Sequence, residues 1–290
     1  MIRHLFSDMD GTILREDGRI SPETAQVIRQ VGLPLTLVSA RSPMEMREAI
    51  DQLGLHDVHV GFNGGYIFQA SPEGYQVIHE VRMDYELAKT LVLDLRGRYP
   101  DLSISVFDDQ TWFVDRYDDC VAYEQNLTGL NYVLVDYEDF FQAPWRKVFK
   151  LMLVTFDHEL MEAVKDYLPT AYPEAEIGLY QTSIPYLEVT PRLAQKSLGI
   201  QYIQEREGLT RQELMAFGDG TNDLAMFQVV GQAVVMANAS EAIKAQADYV
   251  TLTNQEDGVA HACCIICQVY KINKESSCHL SGRGSLLVVD

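Results

Sequence analysis

Two acidic turns at opposite ends of the chain constrain it most. "HLFSDMDGTIL", His4 to Leu14, sets Asp8 and Asp10 one residue apart directly after an apolar run. "FGDGTNDLAMF" sets Asp219 and Asp223 four apart after another. Like charges at the end of a buried strand repel and lose hydration, which costs stability unless a cation or a hydrogen-bond network compensates. At a strand end, residues two apart point the same way, so Asp8 and Asp10 address one small volume, and Gly11 lets the backbone turn sharply. Asp219 and Asp223, spaced across a turn into a helix, reach one edge of the same cation. Magnesium suits such a cluster, because it prefers oxygen ligands and keeps positions open for a substrate phosphate. An EF-hand is excluded, since it needs Gly at position six and Glu at position twelve. Counted from Asp8 those positions are Ile13 and Arg19, and from Asp219 they are Leu224 and Val230.

The rest of the chain tells how two distant turns meet. "IRHLF", "LPLTLVS", "VHVGF", "ELMAFG", "AVVMA" and "DYVTL" are short apolar or β-rich runs, separated by helical spacing over Ser21 to Val31, Pro43 to Leu53 and Asn222 to Val230. Alternation of this kind predicts a Rossmann-like parallel α/β sheet, whose ligand crevice lies at the carboxyl ends of the strands. Asp8, Ser39, Asn63 and Asp219 all fall there. From Arg82 to Pro185 the pattern becomes more alternating, in "LSISVFDD", "TWFVDR", "VFKLMLVTF" and "AEIGLYQTSIPYLEV", with helical stretches at Asp84 to Arg98 and His158 to Leu168. That reads as an α+β domain, 82–185, inserted into a discontinuous core, 1–81 and 186–270. The polar, Gly- and Ser-containing 271–290 reads as a loosely packed tail.

Composition limits the partners. With 290 residues, 47% of them hydrophobic, the chain can bury a sizeable core. A formal net charge of -19 argues against a nucleic-acid partner and requires local positive charge wherever an anion binds. The apolar run at the amino terminus is too short for a signal peptide, and no window approaches a membrane span. Five cysteines, Cys120, Cys263, Cys264, Cys267 and Cys278, are too few and too uneven for a disulfide scaffold, which points to a reducing cytoplasm. Cys264 and Cys267 form a C-x-x-C, but without a second Cys or His pair their sulfurs read as the apolar side of a helix. The oligomeric state is not legible.

Four carboxylates would overcompensate one Mg²⁺ and exclude an anionic substrate, so a fixed cation is needed nearby. Lys196 in "TPRLAQKSLGI" is the candidate, opening a helical stretch just after a strand. Ser39 in "LVSARS" follows another core strand, where its hydroxyl and the next amide, that of Ala40, suit phosphate oxygens. Each of these has a plainer reading, a surface lysine and a helix cap.

Taken in order, "DMDGT", "LVSAR", the lysine of "LAQKS" and "GDGTND" resemble the four motifs of the haloacid dehalogenase-like hydrolases. The long insertion after "FNGGYIF" resembles the large α/β cap of their Cof-like phosphatase branch, and "QEDGVAHA" its closing segment. The resemblance covers residues 1 to 262. It departs at Ala40 and Ser197, where glycine is usual, and after Ala262. Carried over, it implies Asp8 as nucleophile and Asp10 as general acid and base. Ser39, Ala40 and Lys196 would hold the phosphoryl group, with Asn222 supporting the loop or the phosphate. Asp8, the Asp10 carbonyl, Asp219 and Asp223 would organise Mg²⁺.

The expected activity is a Mg²⁺-dependent phosphatase acting on a small phosphorylated metabolite through an aspartyl-phosphate. The cap's inner face sets specificity, with Asn63, Gly64 and residues 180–184 as candidates. Two alternatives differ in what they require. A phosphosugar mutase needs a second phosphate patch, which Arg96, Arg98 and Arg116 could supply. A non-catalytic phosphate or Mg²⁺ sensor needs no Asp10.

Overall fold

The computed structural model describes residues 1–183, 185–266 and 287–288. His4–Ser7 is a central strand, flanked in parallel by Leu35–Leu37 and Leu214–Gly218. Gln232–Val235 and Tyr249–Val250 extend the parallel sheet, and Leu287–Val288 closes its edge in antiparallel. The first three strands are buried along their whole length, as expected of a sheet covered on both faces. Their register decides where the acids go. Ser7 is paired with Phe217, so the chain leaves two neighbouring strands at the same level, one toward Asp8 and the other toward Asp219.

Two of the expected flanking helices start and stop where the sequence says they should, whereas the stretch expected over Asn222 to Val230 is a short turn, Thr221–Asp223, followed by a helix of only Leu224–Phe227. Pro22–Val31 is capped by Ser21 and ended by Gly32 in the left-handed conformation. Pro43–Leu53 begins with a capping box between Ser42 and Glu45. Gly258–Ile266 packs against Pro22–Val31, burying Cys263 and Cys264 in the apolar core as the helical reading of "HACC" expects. Among the described residues no helix is long and apolar enough to cross a membrane.

A second sheet runs Ile177–Ser183, Tyr186–Pro191, Lys150–Val154, Ser103–Phe107, Trp112–Val114 and Tyr132–Leu134 in spatial order, antiparallel except for its last pair. Alternation along its strands sorts two faces. Leu151, Leu153, Ile104, Val106, Leu187 and Val189 pack with residues of the helices Tyr85–Arg98 and His158–Ala171. Phe107, Trp112 and Met152 join Phe62 and Tyr66 of the first unit. That face, which also carries Lys150 and Glu188, therefore looks onto the parallel sheet.

Two expectations need correction, and one helix lacks a sequence signal. "VHVGF" is not a full member of the parallel sheet. Val58–Gly61 pairs antiparallel with Tyr66–Ser71, which pairs with Gly74–Glu80, and among the described residues its strand pairing with the core is a single parallel bridge, Val38 to Val60. Secondly, the boundary at 185 cuts a hairpin. "AEIGLYQTSIPYLEV" is two antiparallel strands, and the second, Tyr186–Pro191, stays hydrogen-bonded in the second sheet. The helix Asp119–Thr128 escaped notice because its apolar residues form only a weak stripe, with Val121 and Glu124 its buried side chains. The tail 271–290 lies outside the described residues apart from Leu287–Val288, as do Cys267, Cys278 and Ile184.

Candidate active site

The two acidic turns meet. Each of Asp8, Asp219 and Asp223 brings a carboxylate oxygen to within 4.8 Å of the others. Gly11 makes this approach possible. Its φ is +72°, and a Cβ there would lie 2.3 Å from the Asp219 carboxylate. Thr12 donates to Asp219 at 2.8 Å, and Asn238 ties the Gly11 carbonyl at 2.8 Å.

Lys196 is the fixed cation that the cluster requires, and it is fully buried. Its Nζ lies 2.5 Å from Asp8 Oδ1 and 2.7 Å from Asp223 Oδ1. Asp223 Oδ2 accepts from the amides of Asp219 and Gly220, both at 2.9 Å, so each of its oxygens is already engaged. Among the described residues, Asp8 Oδ2 is reached only by Thr12, at 3.5 Å. Burial first, and then the neighbouring Asp223, push the Asp8 carboxyl well above its usual range, and the same two causes raise Asp219 to about 6. Burial works against charge on Lys196, but Asp223 and Asp8 outweigh it and hold the ammonium. A compact set of hard oxygens, in which Asp8 and Asp219 resist ionising together, is a donor set that a small divalent cation such as Mg²⁺ fits.

Asp10 stands apart from this cluster. Its carboxylate is gripped by Arg41, Nε to Oδ2 at 2.8 Å and Nη2 to Oδ1 at 2.6 Å. Burial raises Asp10, yet the Arg41 fork prevails and its carboxyl sits below the ordinary value. Ser39 is fully buried and its Oγ accepts from the Arg41 amide at 3.1 Å, leaving its own proton without an acceptor among the described residues.

A cavity of about 380 Å³ opens over these groups, lined by Asp8, Asp10, Ser39, Ala40, Asp219 and Asn222 from the first unit and by Glu124, Lys150, Tyr180, Tyr186 and Glu188 from the second. A hydrogen-bond chain crosses between the units. Asn222 donates to Asn63 at 3.0 Å, Asn63 to Glu188 at 3.3 Å, and Lys150 to both Glu188 and the Ala40 carbonyl at 3.2 Å. Gly64 is not a lining residue. With φ at +102° it lies against the backbone of Gln195, where a Cβ would meet the carbonyl oxygen at 2.0 Å, so its role is close packing. Arg96, Arg98 and Arg116 do not line the cavity either. Arg96 pairs with Asp115, Arg116 with Asp118, and Arg98 lies over the Tyr167 ring.

The sequence expectations do not include roles for Arg41 of "LVSAR", Lys150, Glu188 or Glu124. Lys150 carried a signal, a lone lysine inside the apolar "VFKLMLV" that a fully buried strand admits only when paired. Glu124 carried none, since its helix has almost no apolar stripe.

The family model described as haloacid dehalogenase-like hydrolase matches residues 5–263. The chain is 30% identical over 265 residues to a putative phosphatase of Haemophilus influenzae, covering 90% of this chain and 96% of that protein. It is 28% identical to the HMP-PP phosphatase of Yersinia pseudotuberculosis, over 90% of this chain and 94% of that one. A solved haloacid dehalogenase-like hydrolase from Bacteroides thetaiotaomicron superposes with a TM-score of 0.81 at 28% identity, covering 92% of this chain and 100% of that chain.

Proposed function

Because the chain belongs to the haloacid dehalogenase-like hydrolases and carries the large α/β cap of their Cof-like branch, we propose that it is a Mg²⁺-dependent phosphatase of a small phosphorylated metabolite, working through an aspartyl-phosphate on Asp8. The observation that carries this reading is the buried Lys196 bridging Asp8 and Asp223 beside Asp219. Asp8, Asp219 and the carbonyl of Asp10 would hold the cation, while Asp223 braces Lys196 and the loop. Bound there, Mg²⁺ supplies positive charge that offsets the carboxylates and polarises a phosphoryl oxygen.

Lys196 fixes one oxygen of Asp8, so Oδ2 attacks phosphorus as the bond to the leaving oxygen breaks. The Ser39 hydroxyl and the Ala40 amide receive phosphoryl oxygens. Asp10 gives its proton to the leaving alkoxide. It then takes a proton from water as the water oxygen attacks phosphorus and the aspartyl bond breaks, restoring the Asp8 carboxylate. Paired with Arg41, Asp10 is in the ionised form that suits water activation. The protonated form follows when an incoming phosphate dianion draws the guanidinium away.

The mutase reading loses its support, because Arg96, Arg98 and Arg116 are engaged away from the cavity. Phosphate release from sugar phosphates, pyridoxal phosphate, flavin mononucleotide, HMP-PP and an aryl phosphate, with and without Mg²⁺, tests the proposal. Mg²⁺-dependent release that Asp8→Asn abolishes is the expected result. Wild-type rates in that variant would overturn the nucleophile assignment, and phosphate binding without release would favour the sensor.

A further inference from the structure

Charge is distributed unevenly over the cavity. At its phosphoryl end the acids are offset by Lys196 and by the cation the cluster fits. Toward the second sheet, Glu45, Glu124 and Glu188 line the same space, and the cations lining it are Arg41 and Lys150. Both are already committed, Arg41 to Asp10 and Lys150 to Glu188. Glu45 and Glu124 have no ion-pair partner among the described residues. Each uses one oxygen to hold its own position, Glu45 accepting from the Ser42 amide and Glu124 from the Tyr186 hydroxyl, both at 2.7 Å. The other oxygen of each carboxylate has no hydrogen-bond partner among the described residues, although Glu124 is only 6% exposed. Both glutamates line the cavity and Glu45 is half-buried, so an arriving donor can reach the free oxygens and gains a charge-assisted contact.

We infer that the substrate is the phosphate monoester of an amine-bearing alcohol, whose ammonium is received by Glu124 and Glu45, and that esters carrying a second anionic group are rejected. The inference rests on the phosphatase reading and names the substrate class of the same site. Neither carboxylate belongs to the phosphoryl machinery, so their charge acts on the leaving group. A cation between them gains two charge-assisted contacts in a partly desolvated space. An anion placed there meets three carboxylates with Lys150 already neutralised, and like charges brought together across a binding site strongly suppress the wrong partner.

Three esters of matched size separate the possibilities, namely glucosamine 6-phosphate, glucose 6-phosphate and 6-phosphogluconate, with p-nitrophenyl phosphate as a control for the chemistry. In the wild-type protein with Mg²⁺ at neutral pH, kcat/KM is expected to fall about tenfold from the amine to the neutral sugar, and further for the acid. In Glu124→Gln, which keeps an acceptor for Tyr186, the ratio of amine to neutral ester should shrink about tenfold, expressed in KM. Glu45→Gln keeps the capping-box acceptor and should shrink the same ratio, so the result does not hang on the folding of one variant. Hydrolysis of the aryl ester with a flat ranking, or with the acid preferred, overturns the inference and leaves the phosphatase standing. No Mg²⁺-dependent hydrolysis of any ester overturns both.

Discussion

Arg41 and Asp10, 31 positions apart, form a two-pronged ion pair with N–H···O distances of 2.6 and 2.8 Å across the mouth of the cavity. The guanidinium fork matches a carboxylate in a way that an ammonium cannot. In a cavity with surplus acid, Arg41 also supplies charge that an incoming phosphate needs. Arg41→Lys should lower kcat/KM by about tenfold and Arg41→Ala by about a hundredfold, following the loss first of geometry and then of charge. Steady-state kinetics on an aryl phosphate make the comparison, and an alanine variant at least as active as the lysine one would contradict it.

Metal binding should be visible without turnover. Asp8 and Asp219 resist ionising together, so a cation that binds them stabilises the folded chain. At a hundredfold excess over Kd the gain is about 2.7 kcal/mol. The Tm is expected to rise with Mg²⁺ and to stop responding in Asp219→Asn. Because Asp219 is raised to about 6, protons compete with the cation below that pH, and the Mg²⁺-induced shift should shrink as the pH falls through 6. A shift that grows on acidification would rule this out.

Gly64→Ala tests the close packing under the crossing between the two units. The backbone there has φ at +102°, and the added carbon would lie 2.0 Å from the Gln195 carbonyl oxygen, a backbone atom in the segment that carries Lys196. A loss of more than about 3 kcal/mol is expected in urea unfolding. Stability within about 0.5 kcal/mol of wild type would mean that the loop relaxes freely.

His59 gives a stability term whose sign is set by burial. Buried within the ribbon strand Val58–Gly61, it accepts from the Leu37 amide at 3.1 Å, and burial pushes its pKa from 6.5 down to about 4. A depressed histidine contributes stability that is present above its unfolded pKa and lost as the pH falls through the window from 6.5 toward 4. His59→Gln carries no such proton. The advantage of wild type over this variant should therefore narrow by roughly 2 kcal/mol between pH 7 and pH 5. An advantage that stays constant over that range would show that the ring is already solvated.

The candidate site was legible in the sequence where it depends on short stretches of chain. Asp8 and Asp10 after an apolar strand, Gly11 at the turn, Ser39 after a second strand and the Asp219–Asp223 pair are local patterns, as are the helical stretches from Ser21 and from Pro43. Period and turn residues carry that information directly. The parallel core followed from the same signals, because a strand that must be buried on both faces is apolar throughout. The tertiary structure alone decided what depends on contacts between distant segments. It turned Asp10 toward Arg41, set Lys196 between Asp8 and Asp223, placed Tyr186–Pro191 in the second sheet, and aimed Lys150, Glu188 and Glu124 into the cavity. A side chain's partner lies across space rather than along the chain, so the energy that fixes its ionisation and direction has no periodicity in the sequence to reveal it.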